Sequence, residues 1–117
     1  MPRGRRSWPR HALLAAGVTA IFCFSDEMAL GALSAIGEAG LSCPRDVSVV
    51  GFDDLPLARY FQPALTTIAQ PKGMIGRRTV ELLVDILRGV ECPRRRDDAR
   101  AYALVVRGGT AGPRTDR

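Results

Sequence analysis

Two polar pairs stand directly after short apolar runs: Ser25-Asp26 follows TAIFCF (19–24), and Asp53-Asp54 follows VSVVGF (47–52). A carboxyl or hydroxyl group held at the end of a buried strand can hydrogen-bond sugar hydroxyls or ring N–H groups, and so orient a polar small molecule in a mostly apolar cleft. Each residue also has a plain structural use. Ser25 or Asp26 can cap a helix N-terminus through a side-chain oxygen, and Asp54 can cap a short turn expected at 55–60. Asp26 and Asp54 are therefore read first as caps near the site, while Ser25 and Asp53 stand open between capping and binding.

Other chemistries find less support. An Asp-Asp pair can hold Mg²⁺, as in a phosphoacceptor receiver domain, but such a site wants a lysine after a late strand. The sole lysine, Lys72, instead opens a helix after Pro71. Cys23, Cys43 and Cys92 are widely separated, with no CxxC, and the sole histidine is His11. That pattern fits reduced thiols and offers no metal site. No GxSxG, no GxGxxG after a strand and no P-loop is present. No catalytic residue, cofactor or enzyme activity is expected.

The elements that must position these residues follow from hydrophobic periodicity. Residues 19–24 and 47–52 are continuous apolar runs with β-branched and aromatic members, as expected of strands buried on both faces. Between them, Leu30, Leu33 and Ile36, broadened by Ala29 and Ala32, predict an amphipathic helix over 27–39 ended by Gly40. Strand, helix and strand make one unit with parallel strands. Its two polar pairs then lie side by side at the carboxyl ends, where open α/β sheets bind ligands. A turn at 55–60, a strand at 65–69, a helix after Pro71 with Ile75, Leu82, Leu83 and Ile86 at helical spacing, and a strand at 102–106 complete the pattern.

The 117 residues are 46% hydrophobic and 25% charged, which suits one modest globular domain. The net charge of +5 belongs to the ends: residues 1–11 carry four arginines and no acid, whereas 12–90 hold six bases against eight acids. Solvated ends account for this more simply than a nucleic-acid grip. An arginine-rich start followed by apolar residues 12–24 has the outline of a signal peptide, but no small-x-small cleavage site follows, and the run is short of the roughly 20 residues a bilayer needs.

The motifs S-D-x-M-A-L-G-A-L (25–33), P-x-D-V-S-V-V-G-F-D-D (44–54), P-A-L-T-T-I-x-Q-P (63–71) and G-R-R-x-V-E-L-L (76–83) together resemble the C-terminal half of the effector-binding domain of LacI/GalR-family regulators. A weaker L-V-V-R at 104–107 is similar to that family's closing strand, although Arg107-Gly-Gly-Thr110 replaces the usual R-x-S-T. The fold implied is α/β: a three-layer, mostly parallel sheet, the incomplete C-terminal subdomain of a periplasmic-binding-protein-like type I fold. It would occupy 19–107, preceded by a basic tail and the remnant of an upstream helix (1–18) and followed by a disordered tail (108–117). The resemblance makes Asp53 the aspartate that hydrogen-bonds the effector and Ser25 a pocket-lining residue, with Leu30 and Phe61 at a dimer interface.

The function so implied is effector sensing for a cytoplasmic DNA-binding repressor, with a sugar or nucleobase-like ligand coupled allosterically to operator affinity. A full family member is a homodimer that reads operator DNA through a helix-turn-helix, followed by a hinge helix and an N-terminal subdomain forming the other wall of the cleft. No residue of this sequence is assigned to DNA contact, and no membrane partner is expected. The chain corresponds to about the last third of such a protein, so Met1 is read as a displaced start or a fragment boundary, and effector binding by the chain alone is expected to be weak. Two alternatives stand beside this: a sugar-binding protein of an uptake system, and a truncated remnant without function.

Overall fold

The computed structural model describes residues 9–91 and 101–115. Helix α1 spans Pro9–Ala15, strand β1 Ala20–Phe22, helix α2 Asp26–Glu38 and strand β2 Ser48–Val50. A 3₁₀ turn follows at Pro56–Tyr60, then β3 at Thr67–Ala69, α3 at Lys72–Leu87 and β4 at Ala103–Val105. The strand–helix–strand unit takes the expected form, with β1 and β2 parallel and Ile21 opposite Val49. Parallel bridges from Val50 to Thr66 and from Asp53 to Ala69 carry the ladder on from β2 to β3. Strand β4 then pairs antiparallel with β3, Ile68 opposite Leu104, so the last edge departs from the mostly parallel pattern.

Helix α2 forms where its signals stand. Ser25 is extended (φ −151°, ψ 161°) and its Oγ accepts from the Met28 N–H at 3.2 Å, while Asp26 and Glu27 place acidic groups at the positive end of the helix dipole. Gly40, at φ 72°, ends the helix in the left-handed conformation, which lets the Leu41 N–H reach back to the Ile36 carbonyl at 3.0 Å.

The buried face differs from the expected stripe. Ala29, Ala32 and Ile36 share the core with Val47 and Val49, and Ala35 is buried as well, with Leu33 at the margin and Leu30 51% exposed. Methyl side chains let α2 lie close on β2, and the bulkier Leu30 is left on the outer surface.

Three further expectations change. The run 19–24 that contains β1 is not buried on both faces: Cys23 is inside, but Phe22 and Phe24 are 59% and 83% exposed. As the outer strand beside β2, it has no covering element on its second face among the described residues. Helix α3 exists over the expected range, yet none of its residues is buried, and Met74, Ile75, Leu83 and Ile86 face outward. Residues 108–115 are not a loose tail. The Val49 N–H donates to the Gly109 carbonyl at 3.0 Å, Ser48 Oγ exchanges hydrogen bonds with the Ala111 backbone, and Arg114 pairs with Asp46. On the β2 edge that faces β3, the Val49 N–H lies ahead of the Val50–Thr66 bridge and takes its acceptor from this glycine-rich segment instead, since a strand edge must find partners.

One glycine is sterically obligatory. A methyl group on Gly51 would collide with Asp26 Oδ1 and stand 2.9 Å from Leu65 Cδ2, both pinned by their own packing. Gly51→Ala is accordingly expected to cost ~1–3 kcal/mol or more through overpacking, read as a lowered midpoint in urea unfolding. A midpoint equal to that of the unsubstituted chain would show that the close approach is not real.

Candidate functional site

The carboxyl ends of β1, β2 and β3 meet at one edge of the sheet. The Asp26 N–H donates to the Phe52 carbonyl at 3.0 Å, which sets Ser25 beside Asp53 as the topology required. The Asp53 N–H in turn donates to the Ile68 carbonyl at 2.9 Å, bringing in the end of β3. There Gln70 Nε2 donates to Asp53 Oδ1. The ring of Phe52 lies against that of Tyr102, with centroids 6.1 Å apart and planes tilted by 32°. Ser25, Asp53 and Gln70 are each half-buried, and Phe24 stands exposed next to them.

Asp26 turns out to be neither pocket lining nor the cap of its own helix, because Ser25 takes that role. Its carboxyl group is fully buried; Oδ1 accepts from the Thr67 hydroxyl at 2.6 Å and Oδ2 from the Leu55 N–H at 2.8 Å. Leu55 occupies the N-cap position of the 3₁₀ turn. Asp26, reaching from α2, thus holds the residue that leads into the turn, and among the described residues no side chain caps the turn itself. Asp54 does not cap the turn. It adopts φ 53°, accepts from Arg107 Nη2 at 2.8 Å and directs its N–H toward Thr67 Oγ1 at 3.4 Å.

The Asp53-Asp54 backbone is unusual for residues that carry a Cβ. Asp53 has φ 122° and Asp54 φ 53°. Such conformations cost about 1–3 kcal/mol each and persist only where surrounding contacts over-determine them. The hydrogen bonds to Ile68, Thr67, Leu55 and Arg107 do so here.

An acceptor carboxyl, a serine hydroxyl, a carboxamide and two aromatic rings at one edge suit recognition of a polar ring-shaped molecule, the carboxyl and amide setting orientation and the rings supplying area. Gln70 carries one sequence signal, its place at the end of the third strand. Tyr102 and Arg107 had none, because their neighbours lie far away in sequence. Leu30 is exposed on α2, whereas Phe61 is half-buried against the hydrophobic core. The thiols of Cys23 and Cys43 are free, and burial pushes both above the ordinary thiol range; a hydrogen bond with the Val49 backbone acts the other way on Cys43. Cys92 lies outside the described residues. No group of three or more His, Cys, Asp or Glu that could hold a metal occurs among the described residues, and none of their helices is long and apolar enough to cross a membrane.

A family model for the periplasmic binding protein-like domain matches residues 2–110. The chain belongs to the periplasmic binding protein-like domain family. The match begins inside the stretch read from the sequence as a basic tail. The LacI-type character expected from the motifs is shown by relatives and solved structures alike. The HTH-type transcriptional repressor PurR of Vibrio vulnificus (strain CMCP6) is 47% identical over 77 residues, 66% of this chain and 23% of the relative. The transcriptional regulator CelR in complex with cellobiose superposes with a TM-score of 0.73 at 36% identity, over 86% of this chain and 31% of CelR. The lac repressor dimer bound to operator and the anti-inducer ONPF gives 0.70 at 33% identity, over 88% of this chain and 36% of that one. The chain thus spans about a quarter of the length of the curated relatives it matches. These relatives are named as repressors and regulators.

The strained turn makes a stability prediction that separates binding from folding. Glycine accepts φ 122° without the Cβ penalty, so Asp53→Gly is expected to unfold at an equal or higher urea concentration than the unsubstituted chain, even though it deletes the carboxyl group. A loss of more than about 1 kcal/mol would mean that Asp53 serves the fold.

Proposed function

We propose that this chain is the effector-sensing segment of a LacI-type transcriptional repressor, and that Asp53 is its principal ligand contact. The observation that carries the reading is the convergence of Ser25, Asp53 and Gln70 at adjoining strand ends, with Asp53 held in a conformation that ordinary folding does not need. A carboxyl group so placed accepts two hydrogen bonds from neighbouring hydroxyls or ring N–H groups, which fits a sugar or a nucleobase-like ring. The similarity to CelR, seen with cellobiose, and to the PurR repressors supports the same class of function.

In this reading the ligand sits between the strand-end edge and a second wall supplied by another subdomain, and its closure alters operator affinity through the geometry of a dimer. Operator contact belongs to a helix-turn-helix, as in a full regulator of this type. Exposed Leu30, with Phe61 nearer the core, contributes to the dimer surface. The protein works in the cytoplasm, without a membrane partner, cofactor or catalytic step.

Titration of the isotopically labelled chain with cellobiose, ribose or hypoxanthine at millimolar concentration tests the assignment. One of these classes is expected to shift the amide resonances of Ser25, Asp53, Gln70 and Tyr102 with saturable, weak affinity, and Asp53→Ala to abolish the effect. Shifts confined to other elements, or none with any of the three ligands, would overturn it.

A further inference from the structure

We propose that Arg107 is a positioning residue for the effector site: by pairing with Asp54 it holds the Asp53-Asp54 turn in the conformation that aims the Asp53 carboxyl group. The inference rests on the reading of Asp53 as the ligand contact and adds to it a residue from a remote part of the chain.

Arg107 lies just beyond β4 and is fixed at both ends. Its backbone N–H donates to Thr66 Oγ1 at 3.0 Å, while the Thr66 hydroxyl is 3.2 Å from the Arg107 carbonyl. Its guanidinium donates from Nη1 to the Leu65 carbonyl at 2.9 Å and from Nη2 to Asp54 Oδ1 at 2.8 Å, with 17% of the side chain exposed. A guanidinium fork held at the root and at one prong presents the other prong at a set point in space. Its planarity makes that point directional, which a lysine ammonium cannot reproduce.

That set point is where the strained turn needs support. Asp53 is anchored by its N–H on the Ile68 carbonyl, and the next anchor beyond Asp54 is the Leu55 N–H on buried Asp26. Between the two, the left-handed Asp54 has, among the described residues, only the long approach to Thr67 Oγ1 and the ion pair with Arg107. Without the pair, Asp54 relaxes toward negative φ. The peptide plane joining it to Asp53 then rotates, and the Asp53 carboxyl group swings away from Gln70 and the cleft edge. A surface ion pair would contribute little, but this one is mostly enclosed and sits on a residue whose backbone would otherwise move.

Four proteins decide the matter: the unsubstituted chain, Arg107→Met, Arg107→Lys, and Arg107→Met combined with Asp54→Gly. Two readouts are taken, the HN–Hα coupling constants of residues 53 and 54, and affinity for whichever of cellobiose, ribose or hypoxanthine binds in an Asp53-dependent way. Arg107→Met is expected to lose the positive-φ coupling at Asp54 and to weaken binding about tenfold (~1.4 kcal/mol), with Arg107→Lys between it and the unsubstituted chain. Asp54→Gly is expected to restore most of the affinity in the Arg107→Met background, because glycine keeps φ 53° unaided. A merely structural arginine would not be rescued by that glycine. Unchanged affinity in Arg107→Met, or failure of the rescue in a folded double variant, would overturn the proposal. If the unsubstituted chain shows no Asp53-dependent binding, the site reading fails separately; the couplings still decide whether Arg107 holds the turn, and unchanged values in Arg107→Met would show that it does not.

Discussion

A carboxyl group cannot be taken out of water without hydrogen-bond partners, and the fully buried side chain of Asp26 is where this constraint is met. One oxygen takes the Thr67 hydroxyl at the start of β3, the other takes the Leu55 N–H ahead of the 3₁₀ turn, and the backbone N–H closes on the carbonyl of Phe52. These bonds join α2 to the carboxyl ends of β2 and to β3. The same group accounts for Gly51, since its oxygen occupies the space a methyl would need. With these ties in place, Ser25, Asp53 and Gln70 share one edge of the sheet.

Rigidity and strain divide between neighbouring residues. Asp26 and Thr67 are buried and mutually satisfied, so they define where the turn begins and ends. Asp53 and Asp54 carry the unfavourable backbone geometry, and their side chains are the half-exposed ones. Strain of this kind gathers where a group must be presented in a fixed direction. The closing segment contacts the same turn through Arg107 and β2 through Gly109 and Ala111, so residues more than forty positions away in sequence help shape this edge of the sheet.

Local patterns in the sequence carried the architecture well. The runs at 19–24 and 47–52, Ser25 at the start of a helix and Gly40 at its end each act through residues within a turn of one another, which is why the parallel unit and its two polar ends were readable. The size of side chains at the α2 interface was not: a stripe led by Leu30 has the right period, but the narrow gap to β2 admits alanines. The partners of Asp26 and Asp54 were equally hidden. Thr67 and Arg107 lie 41 and 53 residues away from them, and no periodicity reports such a contact. A capping role for either aspartate was the reasonable local expectation until the distant partner was placed. The outward apolar residues of β1 and α3 show the converse, a sequence pattern that asks for a cover which the described residues do not contain.

The central role given to Asp26 is tested most directly by urea unfolding of Asp26→Ala beside Ser25→Ala. Loss of the serine removes one helix cap, worth about 1 kcal/mol. Loss of the buried carboxyl group leaves the Leu55 N–H and the Thr67 hydroxyl without an acceptor in the interior, at ~1–3 kcal/mol for each orphaned donor. Asp26→Ala is therefore expected to destabilise the chain at least twice as much as Ser25→Ala, up to loss of the cooperative transition. Equal or smaller destabilisation by Asp26→Ala would contradict the account.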